Sequence, residues 1–215
     1  MKKIIFATLT FLFSLFSFSQ FESSKQVYES PKLQQEIVTH KTIAILPYNV
    51  SISYKRLPKT YDAQANKEEE NNLSQNLQSG MYTYILRKSS DYSVIVQDIE
   101  RTNALLKKAN AFDNIDEFTP DALAKILGVD AVIKCKYAYE KTSSEGVALV
   151  KSLLIGFGTG KVATGELTLN IFNGKDGELL WRFYKQMNED IMSSANMVVE
   201  RMMRKVGRNF PYQLK

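Results

Sequence analysis

The stretch TGELTLNIFNGKDGELLWRF, residues 164–183, decides the fold class because it predicts two β-strands joined by a tight turn. Apolar residues alternate with their neighbours in the first strand, a period of two that is typical of a half-buried strand: Leu167, Leu169 and Ile171. Asn173-Gly174 and Asp176-Gly177 then supply residues that tolerate the positive φ angles of a hairpin loop. Trp181, the only tryptophan, shares one face of the returning strand with Leu179 and Phe183, so we expect it in the core.

The periodicity on either side of this hairpin predicts strands that alternate with helices. The predicted elements are a strand at 42–46, a helix at 68–87, a strand at 92–96, helices at 99–109 and 119–128, a strand at 129–139 and an amphipathic C-terminal helix that carries the stripe Ile191, Ala195, Val198, Val199, Met202, Met203 and Val206. This order favours a βαβαβ start followed by the antiparallel hairpin. We therefore predict an α/β (α+β) fold in a single domain, residues 41–210, with a mixed sheet of about five strands and helices packed on it.

The amino terminus predicts export. Lys2 and Lys3 precede an apolar run, and Ser17 and Ser19 supply small residues for cleavage before Gln20, as in a signal peptide of residues 1–19. Residues 20–40 are polar and have no sustained period, so we expect a mobile leader there, with a short helix near 32–38. These features predict a protein of the periplasm or the outer-membrane periphery, or one that is secreted.

Few residues in the chain offer catalytic or metal-binding chemistry. The single histidine, His40, lies outside any known motif and is expected at the surface, and the single cysteine, Cys135, is expected as a buried small side chain. The segment 156–161 resembles a phosphate loop, but Ile155 and Val162 stand where that motif needs Gly and Ser or Thr. The formal net charge of +5 is too small to indicate nucleic-acid binding. We expect no enzyme activity, no cofactor and no metal.

Two segments are candidates for contact with a partner. The polar stretch 49–66 is too long for an ordinary connector and predicts a disordered or functional loop, in which Tyr54, Lys55, Arg56 and Tyr61 are the candidate contact residues. The second segment is an apolar insertion, residues 145–162, which separates the third long strand from the hairpin. Its candidate contact residues are Leu149, Leu153 and Phe157, and packing on the domain, protein contact and membrane contact all remain open for it.

Several of these segments, in this order, resemble the periplasmic α/β domain of the curli-secretion CsgG-like lipoproteins and the amino-terminal domain of TolB. They are TIAILPY at 42–48, the helix through 73–86, YSVIVQ at 92–97, LAKILGVDAVIK at 123–134 and TLNIFNGKDGELLW at 168–181. The resemblance implies a non-enzymatic envelope protein that assembles or binds other proteins. The lipid-bearing cysteine and the long pore hairpin of those secretion proteins are missing, so the resemblance does not imply a secretion pore.

The function predicted from the sequence is therefore the binding of a protein partner in envelope assembly or transport. One alternative is a membrane-associated oligomeric secretion component that uses residues 147–157 as an inserting hairpin. Another is a small-ligand-binding protein or enzyme with a cleft at the carboxyl ends of the parallel strands, near Pro47–Asn49 and Gln97-Asp98.

Overall fold

A computed structural model describes residues 25–141, 163–189 and 195–214, which form a seven-stranded mixed β-sheet with helices packed against it. The strands are β1 (Lys25–Glu29), β2 (Thr42–Ile45), β3 (Asn49–Tyr54), β4 (Ile95–Val96), β5 (Ala131–Lys141), β6 (Ala163–Asn173) and β7 (Leu179–Glu189). The helices are α1 (Leu33–Ile37), α2 (Ala63–Arg87), α3 (Ile99–Lys108), α4 (Pro120–Leu127) and α5 (Ala195–Gly207). The predicted fold class is confirmed, with two strands more than expected.

The strand order is β1-β7-β6-β5-β2-β4, and β3 also pairs with β5. β2 runs parallel to both β4 and β5, as the predicted βαβαβ start requires. β5, β6, β7 and β1 then follow one another in antiparallel pairs. The sheet is therefore parallel at one edge and antiparallel at the other.

The predicted hairpin is formed by β6 and β7, with Leu169 opposite Phe183. In its turn, the backbone N–H of Gly177 donates to the carbonyl of Asn173 over 2.9 Å. Gly177 alone takes a positive φ, 73°, so only one of the two expected glycines is needed for backbone conformation. Gly174 is needed for space instead, because a Cβ there would lie 2.6 Å from the carbonyl oxygen of Asp130.

The expectation of a mobile leader over residues 20–40 is wrong for residues 25–40, which belong to the fold, but the short helix expected near 32–38 is confirmed as α1. β1 pairs with β7 at the edge of the sheet, and its five side chains are all exposed. Leu33 in α1 is 1% exposed and joins the core. β1 could not be predicted from the sequence, because an edge strand held by backbone hydrogen bonds needs no alternation of apolar residues. The signal peptide predicted at 1–19 lies outside the described residues.

The expectation of a long loop over residues 49–66 is also wrong, since β3 and the start of α2 occupy most of it. β2 pairs with the first residues of β5, and β3 pairs with the last ones, both in parallel. β2 and β3 therefore form one interrupted strand beside β5. The interruption falls at Pro47, which has no backbone N–H to donate. The apolar insertion predicted at 145–162 lies outside the described part of the chain.

The helices begin and end where local chemistry allows. α2 starts five residues earlier than predicted because the carboxylate of Asp62 accepts hydrogen bonds from the backbone N–H groups of Gln64 and Ala65. α4 begins at Pro120 and ends at Gly128, whose φ of 67° makes it a left-handed C-cap. Both ends of α4 agree with the prediction.

Side chains on the two faces of the sheet form two separate core clusters. The larger cluster joins β2, β5, β6 and β7 to α2 and α5, and it includes Trp181 and Phe183 with their rings 5.9 Å apart. The smaller cluster joins the other face of β2 and β5 to α3 and α4. Ile43 and Ala44 show the alternation, because they are adjacent and fully buried in different clusters. The sheet therefore lies between two helical layers at its parallel edge.

Candidate functional site

The segment between β3 and α2, which we call the tyrosine loop (residues 54–61), carries four of the predicted contact residues. Tyr54 is the last residue of β3, and Tyr61 packs edge-on against its ring at 5.7 Å between centroids. The backbone N–H of Tyr61 donates to the carbonyl of Pro58 over 3.1 Å. These contacts bring together two tyrosines that are seven positions apart, so the structure gives this loop a defined shape.

The outer surface of the tyrosine loop is apolar and basic. Tyr61 is 40% exposed and Leu57 is 67% exposed. Lys55, Arg56 and Lys59 are exposed around them. Sequence reasoning missed Leu57 because it stands next to Pro58 without any apolar neighbour. Aromatic, aliphatic and cationic side chains therefore share one small surface.

Lys141, the last residue of β5, holds the base of this loop. Its backbone carbonyl accepts from the N–H of Lys55 over 2.9 Å, and its Nζ lies 5.2 Å from the ring centroid of Tyr54. The same Nζ pairs with Glu69 at 2.9 Å. Burial disfavours the charge on Lys141, but the hydrogen bond and charge of Glu69 outweigh it and raise the pKa of the ammonium. Lys141 therefore stays charged under the tyrosine ring.

Lys141 is also the residue from which the chain enters the apolar insertion. It pairs in register with Tyr54 on β3 and with Ala163 on β6. Lys141 therefore lies directly beside the tyrosine loop, and Ala163 lies on the other side of Lys141. The predicted contact residues Leu149, Leu153 and Phe157 lie outside the described residues.

A cleft of about 570 Å³ opens at the interruption between β2 and β3. It lies where the sequence placed one half of a ligand cleft, since Pro47, Tyr48 and Asn49 line it together with α2 and the segment 112–117. The other half of that prediction is wrong. Gln97 donates to the carbonyl of Leu127 over 2.9 Å, and Asp98 caps α3, so neither residue lines the cleft.

Some of the polar groups of this cleft bind one another. Lys134 pairs with Asp116 at 2.6 Å, and the amide of Asn49 donates to the same carboxylate over 2.8 Å. The hydrogen bond from Lys134 holds the pKa of Asp116 below its usual value. On the opposite wall, the hydroxyl of Ser74 donates to the carbonyl of Tyr48 over 2.6 Å. These bonds fix parts of the two walls, while Asn71, Gln75, Asp113 and Glu117 also line the cleft.

The thiol of Cys135 also lines the cleft, at 1% exposure. Burial raises its pKa to about 12, so it is a protonated thiol at neutral pH, as expected of a buried small side chain. His40 does not face it. The expectation of a surface histidine is wrong, because His40 is buried before the start of β2 with its Nδ1 2.7 Å from the hydroxyl of Tyr212. Cys135 and His40 therefore form no nucleophile–base pair.

The acidic residues of the hairpin turn serve the turn itself. Asp176 accepts from the backbone N–H of Glu178 over 3.0 Å, and Glu178 pairs with Lys32 at 2.8 Å. In residues 25–141, 163–189 and 195–214, no three acidic, histidine or cysteine side chains come together as a metal site would require. No helix within these ranges has the length and apolar character needed to cross a membrane.

No protein-family model matches the chain, and no curated protein sequence matches it significantly. Solved structures with a similar chain path include lipoprotein GNA1162 from Neisseria meningitidis, with 14% identity and a TM-score of 0.44 over 79% of this chain and 96% of that one. They also include the PelC dodecamer from Paraburkholderia phytofirmans, with 15% identity and a TM-score of 0.42 over 90% and 99% of the two chains. A third is the LpoB C-terminal domain from Escherichia coli, with 8% identity and a TM-score of 0.33 over 74% and 94%. Scores this low carry no argument about the fold or the function of this chain.

Proposed function

We propose that this is an exported, non-enzymatic envelope protein that binds a protein partner through the tyrosine loop. One observation carries the proposal: Tyr61, Leu57 and three cations are presented on a loop that the Tyr54–Tyr61 contact and Lys141 hold in place. Tyrosine and arginine are over-represented among the residues that dominate binding energy. A loop that is already ordered loses less conformational entropy when it binds.

The charge of the loop indicates the chemistry of the partner. Lys55, Arg56 and Lys59 form no ion pair with another described residue, so their charges face outward. An acidic protein surface with an apolar centre fits them, because opposite charge steers association and the apolar centre supplies affinity. We include Leu149, Leu153 and Phe157 in the same proposed surface, because their segment follows Lys141, which pairs with Tyr54.

The signal peptide predicted at residues 1–19 and the resemblance to CsgG-like and TolB amino-terminal domains support a place in envelope assembly or transport. The signal peptide argues for export, and the resemblance argues for binding other envelope proteins. In the 570 Å³ cleft, the thiol of Cys135 is protonated and the carboxylate of Asp116 is paired with Lys134.

Photo-crosslinking in the native host tests this proposal. A photoreactive amino acid replaces Leu57, and the matched control replaces Val38, which is apolar and 77% exposed outside the loop. We expect a discrete protein adduct from position 57, identified by mass spectrometry. Its yield should fall at least about tenfold in an Arg56→Ser/Tyr61→Ser background, because both hot-spot side chains are gone.

Two outcomes contradict the proposal. One is the absence of an adduct from position 57 in a folded, correctly localised protein. The other is the same adduct in equal yield from position 38, which would show collision instead of specific contact.

A further inference from the structure

A second, smaller cavity of about 230 Å³ lies where the C-terminal ends of α2 and α5 meet. Residues from three separate stretches form it: the end of α2, the turn that contains Tyr92, and the end of α5 with the tail that follows. The tail is fixed there because Gln213 and Tyr92 form a β-bridge and the N–H of Leu214 donates to the carbonyl of Asp91 over 2.8 Å. The cavity therefore belongs to the rigid part of the fold, away from the tyrosine loop.

Two tyrosine hydroxyls open into this cavity without a partner among the described residues. Tyr84 is 5% exposed and Tyr92 is 7% exposed. A Cβ at Gly207 would lie 3.4 Å from the hydroxyl of Tyr84 and 3.7 Å from that of Tyr92, so both face the space that this glycine leaves. Neither hydroxyl makes a hydrogen bond to any described residue. The two rings are buried while their oxygens stay open to the cavity, so both hydroxyls are available as donors to a ligand there.

Three cations surround the hydroxyls. Lys88 lies with its Nζ 5.3 Å from the ring centroid of Tyr84. Arg204 and Arg208 are four positions apart and line the same cavity. None of the three forms an ion pair with a described residue. One carboxylate, that of Asp91, is among the lining residues, so the net charge of the lining is positive.

The helix dipole explains some of this arrangement and leaves the rest unexplained. Lysine and arginine are favoured at the C-terminal end of a helix, where the dipole is negative. The ends of α2 and α5 are already capped by other groups, however: the N–H of Lys88 donates to carbonyls of the last turn of α2, and the amide of Asn209 donates to the carbonyl of Lys205 over 2.8 Å. The dipole gives no reason for two tyrosine hydroxyls to converge on the space beside a glycine.

We propose that this cavity binds a phosphate group, with Arg204, Arg208 and Lys88 neutralising its charge and the hydroxyls of Tyr84 and Tyr92 donating hydrogen bonds to its oxygens. Arginine is suited to this role because its planar fork of N–H donors matches phosphate oxygens. Burial raises the pKa of Tyr92 to about 12, so its hydroxyl keeps the proton that it donates. The group belongs either to inorganic phosphate or to a phospholipid headgroup, which share this chemistry.

Thermal unfolding of the protein in inorganic phosphate, against sodium chloride of equal ionic strength, tests the site. We expect a rise in Tm that saturates with phosphate, because a ligand that binds only the folded state stabilises it. Arg204→Gln/Arg208→Gln should weaken phosphate binding at least about tenfold, since each lost contact is a charged hydrogen bond. The matched control, Arg101→Gln/Arg182→Gln, removes the same charge from exposed positions and should bind phosphate as the unchanged protein does.

Tyr84→Phe/Tyr92→Phe separates a binding role from a structural one. The rings stay, and the lost hydroxyls have no partner among the described residues, so stability without phosphate should be unchanged. Phosphate binding should weaken.

A comparison of two ligands identifies the source of the phosphate group. The soluble headgroup glycerophosphoglycerol is titrated beside inorganic phosphate, and tighter binding of this diester assigns the site to a lipid headgroup, whereas tighter binding of phosphate assigns it to the free anion.

The proposal is overturned if neither compound raises Tm beyond the chloride control. It is also overturned if the double arginine variant binds phosphate as tightly as its control, or if the double tyrosine variant loses stability while its phosphate affinity stays the same. None of these results bears on the tyrosine loop, which lies on another part of the fold.

Discussion

The buried imidazole of His40 couples the stability of this protein to pH. Burial lowers the pKa of His40, although Asn173 and the charges of Asp130 and Glu36 act in the opposite direction. At mildly acid pH the unfolded chain therefore binds a proton that the folded protein does not. Since the unfolded state binds more protons, the free energy of unfolding falls as the pH falls below the pKa of the unfolded histidine.

We expect His40→Gln to flatten this pH dependence, because it removes the only histidine in the chain. Urea denaturation at about pH 7 and about pH 5.5 measures the free energy of unfolding of both proteins in the window where an unfolded histidine titrates. The unchanged protein should lose more stability across this window than the variant does. Equal losses in the two proteins would show that other groups control the pH dependence.

At the scale of elements, Gly80 determines how closely α2 and α5 pack. A Cβ at this position would lie 2.7 Å from Cγ1 and 2.9 Å from Cγ2 of Val199. A valine in a helix has one strongly preferred rotamer, so its methyl groups have little freedom to move aside. The packing of α2 on α5 therefore requires glycine at position 80, although glycine has a low helix propensity.

We expect Gly80→Ala to lower the free energy of unfolding by about 1–3 kcal/mol through overpacking. Propensity alone predicts the opposite sign, a gain of about 1 kcal/mol. Val199→Ala should lower the free energy of unfolding less in the Gly80→Ala variant than in the unchanged protein, because it removes the methyl groups that the new Cβ contacts. A double-mutant cycle by urea denaturation measures this coupling. Ser79→Ala, at the exposed neighbouring position, should change stability by less than about 0.5 kcal/mol. Additive effects of the two substitutions would contradict the packing argument.

The elements that can be predicted from the sequence are those with one buried face and one exposed face. The hairpin, α2, α4 and β5 each show a clear period, because one face of each lies in a core cluster. β1 shows none, since all five of its side chains are exposed and only its backbone pairs with β7. β3 has its alternate residues Val50 and Ile52 buried, but six residues that follow a proline are too few to distinguish from a loop.

At the scale of the whole molecule, the two proposed sites differ in how far a sequence can reveal them. The tyrosine loop is contiguous, so the composition of one segment was enough to select Tyr54 and Tyr61 before the structure joined them. The phosphate cavity combines Tyr84 and Tyr92 with Arg204 and Arg208, residues more than a hundred positions apart. Only the packing of α2 on α5 brings these residues together, and no local sequence pattern predicts that packing.

The global cooperativity of the fold can be measured through Cys135. It is the only cysteine, it is 1% exposed in the larger core cluster, and it lies on the central strand β5. The surrounding layers must separate before a reagent reaches its sulfur. Labelling by a thiol reagent therefore reports the opening of the sheet from its helices.

We expect Cys135 to react at least about a thousandfold more slowly than a cysteine in a short peptide, because a stable domain opens globally in less than one molecule in a thousand. The logarithm of the rate should rise linearly with urea, with the slope of global unfolding. Val38→Cys in a Cys135→Ala background is the control, since position 38 is 77% exposed and should react at the peptide rate at every urea concentration. A rate at Cys135 that does not depend on urea would instead show that the cleft at Pro47 opens locally, without unfolding of the sheet.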